Sequence, residues 1–219
     1  MKGDRIPVHI LSVRFIPNAD DFLLKSLKVP KGCNSLGILT TDSDDVSYAA
    51  LDEATKKAEV KVVYARSMYA GAGNASTKLA GEFIGILAGP NPEEVKSGME
   101  AAVSFIQNDG AFYSANEDDS IIYFAHCISR TGSYLSKQAK IPQGEALAYL
   151  IAPPAEAVCG IDHALKTADV QLKVFYEPPT ETNFAGALLT GDQAACQAAC
   201  DAFAEMVCRV ADTPIELTI

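Results

Sequence analysis

Apolar positions along this chain switch between a spacing of two and a spacing near 3.6, and the same order of switches occurs twice. A β-rich run at 8–16, and again at 121–129, leads into a short helical piece at 20–27, and again at 133–139. A turn region rich in Pro and Gly then precedes an apolar strand, at 35–39 and at 146–151. Next comes a helix whose small apolar residues recur at helical spacing, at 46–58 and 155–168. Two strands follow in each half, at 60–64 and 82–87 and at 170–176 and 185–189. The last helix opens after Gly89-Pro90-Asn91-Pro92 in one half and after Gly191-Asp192 in the other, both N-terminal signals.

The residues repeat as well as the pattern. Leu51-Asp52-Glu53-Ala54-Thr55-Lys56-Lys57-Ala58-Glu59-Val60 matches Ile161-Asp162-His163-Ala164-Leu165-Lys166-Thr167-Ala168-Asp169-Val170, 110 positions later, with five of the ten identical. Val95, Gly98, Met99, Ala102 and Ile106, the inward face of one last helix, fall on Cys196, Ala199, Cys200, Phe203 and Val207. Near the start of each half His9-Ile10-Leu11-Ser12 echoes His126-Cys127-Ile128-Ser129, and Lys28-Val29-Pro30 echoes Lys140-Ile141-Pro142. A period this long implies two copies of one domain, at 1–112 and 113–219. Each copy predicts an α/β (α+β) layer, with helices on one face of a small antiparallel or mixed sheet. The offset shrinks from 110 to 102 because the loop at 65–78 is about eight residues longer in the first copy. An elaborated loop in one copy alone suggests a functional role rather than a mere connection.

Composition narrows the function classes. Forty-eight per cent hydrophobic residues support a core, and 18 basic against 28 acidic residues give a net charge of −10. That balance argues against nucleic-acid partners and against a basic membrane-surface protein. No apolar run approaches the roughly 18 residues that span a bilayer, and Met1-Lys2-Gly3-Asp4-Arg5 lacks the apolar stretch of a signal peptide. The expectation is a cytoplasmic chain. Its six cysteines form no CxxC pair, and Cys196 and Cys200, four apart in an Ala-rich stretch, read as buried small hydrophobes rather than metal ligands. There is no H-E-x-x-H and no G-x-S-x-G, and Gly71-Ala72-Gly73 is a loop without the helix that a dinucleotide fingerprint requires. No catalytic residue and no metal site is expected.

One group of residues departs from the repeat. Asp42-Ser43-Asp44-Asp45 precedes a helix, where Asp42 and Ser43 suffice as an N-terminal cap. Asp44 and Asp45 exceed that need, and the second copy has Ala152-Pro153-Pro154-Ala155 at the matching place. Glu82 likewise opens a strand where the second copy has Phe184. Charges present in one copy alone read as a site. Phe112, beside Gly110 and Ala111 at the junction of the copies, reads as core.

The strand, Ala-rich helix, Ala168-Asp169-Val170-Gln171-Leu172 strand, apolar strand and Thr190-Gly191-Asp192 helix start resemble the bacterial microcompartment (BMC) shell domain. Each half begins with a strand that comes last in the standard domain, so the resemblance is to circularly permuted copies. Nearly the whole chain takes part, including SLGILTTDSDD at 35–45, Ala65-Arg66-Ser67, SRTGSYLS at 129–136 and ETNF at 181–184. The pattern is similar to tandem-domain BMC shell proteins of ethanolamine-utilisation compartments.

That resemblance implies a structural, non-enzymatic homotrimer. It would tile as a pseudohexamer beside other shell proteins, in a compartment shell within the cytoplasm, with a gated central pore and small acidic pores. It implies ethanolamine as a ligand at Asp44, Asp45, Glu82 and Phe112. Gate loops would be the one carrying Arg66, Ser67, Gly71 and Gly73, and its counterpart with Thr182 and Asn183. No cofactor is required; the family's link to cobalamin raises His9, His126 or His163 as a cobalt ligand, although His9 and His126 read as repeat-equivalent structural residues. A soluble tandem-domain sensor or regulatory binding protein is the alternative, distinguished by the absence of two-dimensional assembly.

Overall fold

The computed structural model describes residues 1–68 and 82–217. The chain opens with β1 (Arg5–Ile6), β2 (Ile10–Ile16), α1 (Asp21–Ser26), β3 (Ser35–Thr41) and α2 (Asp45–Lys57). β4 (Lys61–Ser67), β5 (Phe83–Gly89) and α3 (Pro92–Asn108) follow. It continues through β6 (Phe112–Ser114), β7 (Ile122–Ile128), α4 (Ser133–Ala139), β8 (Ala146–Ala152) and α5 (Pro154–Thr167). It ends with β9 (Gln171–Tyr176), β10 (Ala185–Gly191) and α6 (Gln193–Asp212).

These elements form two compact units, and the units interleave along the chain. One contains Pro7–Gly110 with Thr131–Lys137; the other contains Met1–Ile6, Ala111–Arg130 and Gln138–Ile219. In the first unit the sheet order is β2-β3-β5-β4, and in the second β7-β8-β10-β9 recurs as part of β1-β6-β7-β8-β10-β9. Every pairing is antiparallel. The copy of each strand therefore occupies the same place in its sheet.

Local chemistry explains why the elements begin and end where they do. Asn91 and Asp192 cap α3 and α6 by accepting from Glu94 N at 2.8 Å and Ala195 N at 2.7 Å, and Pro92 fits the first turn because it has no N–H to satisfy. After α1, Lys28 adopts φ 54° and Val29 N–H donates to Leu24 O, a left-handed stop to the helix. The same backbone conformation returns after α4 at Lys140, φ 53°, and the following glycines match too, Gly32 at φ 88° and Gly144 at φ 95°. The K-V-P-K-G and K-I-P-Q-G segments thus encode one turn twice.

Each core lies between a sheet and a helix pair. In the first unit α2 and α3 turn Val46, Leu51, Val95, Met99 and Ile106 toward Leu39 and Leu87, all buried. Alternate residues of β3 and β5, Leu36, Ile86 and Ala88, join Leu24 and Leu27 of α1 in a smaller cluster. In the second unit α6 presents Cys196, Ala199, Cys200, Phe203 and Val207 to β8 and β10 residues such as Leu150 and Leu189. Cys196 and Cys200 are core residues, and burial pushes the Cys196 thiol up to about 11 and the Cys200 thiol higher still.

Candidate functional site

The acidic site is built where β3, β4 and β5 of the first unit end together. β3 runs on to Thr41, so α2 starts later than a cap at Asp42 or Ser43 would require. Asp44 is the cap, its Oδ1 accepting from Asp45 N at 2.9 Å, and Asp45 sits in the first turn. Both are buried, at 8% and 7% exposure. Asp42 instead holds the start of β2, accepting from His9 N at 2.8 Å and meeting His9 Nδ1 at 2.7 Å. Glu82 is fixed through its backbone, donating N–H to Thr41 O at 2.9 Å and accepting at its carbonyl from Met68 N at 2.6 Å.

This geometry gathers carboxylates of one sign. Burial pushes the Glu82 carboxyl above its ordinary value, and the charges of Asp44 and Asp42 add to the effect. The equivalent helix start in the second unit has a single carboxylate, Glu156, in its first turn, and Pro153 occupies the cap of α5 without a side-chain cap bond. A concentration of negative charge in a half-buried setting favours a small cation that can donate hydrogen bonds.

Two further residues join the site: Tyr48, which the sequence did not point to, and Ser67, expected as a gate residue. Tyr48 lies on the same turn of α2 as Asp44 and Asp45, its hydroxyl beside the Ser67 backbone. Its ring meets Phe83 edge-on at 5.0 Å and stacks on Tyr134 at 6.1 Å. Burial and the neighbouring Tyr134 and Asp44 hold its phenol well above the ordinary value. Ser67 donates from Oγ to Asp44 Oδ2 at 2.6 Å. Helical spacing from Asp44 is the signal for Tyr48; nothing local announces Ser67 as a partner of Asp44.

Phe112 falls in the second unit. It is buried in β6, with its ring 5.6 Å from Phe124 and 6.1 Å from Phe184. Among the gate residues, Arg66 and Ser67 close strand β4, whose ladder pairs them with Ile84 and Phe83, so the loop begins beyond them. Gly71 and Gly73 lie outside the described residues. Thr182 and Asn183 occupy the turn between β9 and β10, where Asn183 has φ 63° and donates N–H to Thr180 O at 3.1 Å.

Among the described residues no group of three or more His, Cys, Asp and Glu is placed to hold a metal ion. Of the histidines, His9 meets Asp42 through Nδ1 at 2.7 Å, and His126 lies face-on against Phe124 at 5.6 Å and 7°. No helix among the described residues is long and apolar enough to cross a membrane.

Comparison with known proteins places this architecture. A family model described as BMC domain matches residues 35–117. The bacterial microcompartment shell protein EutL of Clostridium perfringens is 64% identical over 215 residues, covering 98% of this chain and 99% of that protein. EutL of Salmonella typhimurium is 50% identical over 213 residues, covering 97% of each. The crystal structure of the ethanolamine utilization protein EutL from Leptotrichia buccalis superposes with a TM-score of 0.96 at 66% identity, covering 99% of this chain and all of that one. Identity at this level over nearly the full length of each relative joins the duplicated sheet order to a single family. The chain belongs to the EutL family of bacterial microcompartment shell proteins, structural components without enzymatic activity built on the BMC domain.

Proposed function

We propose that this shell protein assembles as a homotrimer whose chains each carry two permuted copies, 1–112 and 113–219, and that it binds ethanolamine at the acidic end of the first unit. Two similar units per chain about a threefold axis give six near-equivalent positions round a centre, which suits hexagonal tiling with other shell proteins. The compartment so formed lies within the cytoplasm, and the gated centre of the trimer passes metabolites.

One observation carries the ligand: Asp44, Asp45 and Glu82 converge in one unit, whereas the other has Pro153 and Phe184 in their places. Ethanolamine is a cation at neutral pH, so the carboxylates supply both attraction and hydrogen-bond acceptors. Rings of acidic groups are a common means of selecting cations in small pores. No cofactor is required in this reading, and cobalamin is a second candidate ligand. Arg66, Ser67, Gly71, Gly73, Thr182 and Asn183 are the gate residues of this reading. Trapped open and closed forms with these residues in the same place would remove the gate.

Calorimetric titration with ethanolamine tests the site. The expected result is saturable binding by the parent chain and its loss in Asp45→Ala and Glu82→Ala. Unchanged affinity in both variants overturns the assignment. Electron microscopy of the purified protein is expected to show two-dimensional sheets; discrete particles under all conditions would count against the tiling.

A further inference from the structure

We infer that Ser67 and Tyr48 are positioning residues for the cation, a conclusion that rests on the ethanolamine reading of the acidic site. Asp44 is not free to swing toward a ligand. Its Oδ1 accepts from Asp45 N at 2.9 Å and its Oδ2 from Ser67 Oγ at 2.6 Å, so both oxygens are already held. It therefore acts as a fixed charge, and Ser67 sets where that charge lies.

Ser67 is itself fixed twice. Its place in the β4–β5 ladder is opposite Phe83, and its backbone lies beside the Tyr48 hydroxyl. The Tyr48 ring is in turn gripped by Phe83 at 5.0 Å and Tyr134 at 6.1 Å. Tyr134 belongs to the segment that buried Asp52 anchors on α2, accepting from Gly132 N at 2.6 Å, Tyr134 N at 3.1 Å and Leu135 N at 2.8 Å. A continuous set of contacts thus runs from Asp52 through Tyr134, Tyr48 and Ser67 to Asp44. It holds the carboxylate before any ligand arrives, which reduces the ordering that binding must bring about. Removing the Ser67 hydroxyl leaves Asp44 Oδ2 without its partner, and the carboxylate becomes mobile or repelled from Glu82.

The experiment is calorimetric titration of ethanolamine hydrochloride into the full-length assembled protein, comparing the parent with Ser67→Ala, Ser67→Thr and Tyr48→Phe, with thermal unfolding measured alongside. Ser67→Ala is expected to bind about five- to tenfold more weakly, the effect of one hydrogen bond to a charged group. Ser67→Thr restores the hydroxyl and brings affinity back to within about twofold of the parent, a rescue that a merely structural role does not produce. Tyr48→Phe keeps the ring contacts, loses the hydroxyl beside the Ser67 backbone and weakens binding by a smaller factor. If the parent binds but Ser67→Ala and Tyr48→Phe bind equally well, the positioning role is overturned and the ethanolamine site stands. If Ser67→Thr folds but fails to restore affinity, the hydroxyl is not the determinant. If the parent does not bind, the ethanolamine reading falls and the positioning role with it. Should Ser67→Ala not fold, the comparison of Tyr48→Phe with the parent decides the same question.

Discussion

Burial, and after it the charges of Asp44 and Asp42, push the Glu82 carboxyl above its ordinary value. The folded chain therefore keeps a proton on Glu82 at pH values where the unfolded chain has released it. Stability contributed at this position falls as pH rises from the ordinary carboxylate range through the raised value, and stays low above it. Glu82→Gln removes the ionisation while keeping the shape. Its unfolding temperature is expected to exceed that of the parent at neutral pH, and the two are expected to converge near about pH 4. The gain is small, because solvent screens a half-exposed carboxylate. Thermal unfolding at the two pH values checks this, and an equal difference at both would show that charge is not the cause. The same variant is expected to lose ethanolamine, since the carboxylate that costs stability when alone is the one an ammonium neutralises. Affinity in the parent should accordingly begin to fall on acidification at a higher pH than an ordinary glutamate would give.

At the scale of elements, the repeat makes most of the fold legible, but not every role within it. Strands and helices long enough to show a period appear within a few residues of their expected bounds, including the inward faces of α3 and α6. β1 and β6, two and three residues long, carry too few positions for any period and leave no trace in the pattern. Asp52 and Asp162 show a deeper limit. They are identical in the aligned window, yet Asp162 is exposed and paired with Lys166 at 2.7 Å, whereas Asp52 is 1% exposed and accepts from three backbone N–H groups about 80 residues away. Thr55 joins it by accepting from Ser133 N at 2.9 Å. No local pattern separates two identical residues whose partners lie so far off. Asp52→Ala is expected to destabilise the chain by about 2–3 kcal/mol, since it strands buried donors, while Asp162→Ala changes stability by less than about 0.5 kcal/mol. Chemical unfolding of both variants measures the contrast, and equal effects would refute the anchoring role. Gly160 makes a similar point in packing: a Cβ there would lie 2.6 Å from the Phe203 ring, so Gly160→Ala should cost about 1–3 kcal/mol by forcing α5 from α6.

At the scale of the whole molecule, the sequence repeats and the compact units are not cut at the same points, and this has a consequence for stability. The copy proposed at 1–112 leaves out Thr131–Lys137, which belong to the same compact unit and hold the donors to Asp52. The copy proposed at 113–219 leaves out Met1–Ile6 and Phe112, which belong to its compact unit. β1 pairs Arg5 with Tyr113 and Ile6 with Phe112, Gly3 N–H donates to Ser114 O at 2.8 Å, and Lys2 meets Asp212 at 2.6 Å. The exposed ion pair adds little, whereas the strand pairing covers an edge and the Phe112 ring fills the space beside Phe124 and Phe184. Cutting between 112 and 113 therefore damages both products in different ways. The 1–112 piece loses the three backbone donors to Asp52 and the segment that covers Asp52 and Thr55. The 113–219 piece loses an aromatic ring and an edge strand. Each piece, purified alone, is expected to unfold at a lower temperature than the intact chain or not to fold at all. A synthetic peptide spanning residues 129–139 should raise the unfolding temperature of the 1–112 piece, and the same peptide carrying Gly132→Pro, which lacks the N–H that bonds Asp52, should raise it less. An unaided 1–112 piece as stable as the intact chain would mean that the exchanged segment contributes nothing, and that the copies are independent domains despite their shared residues.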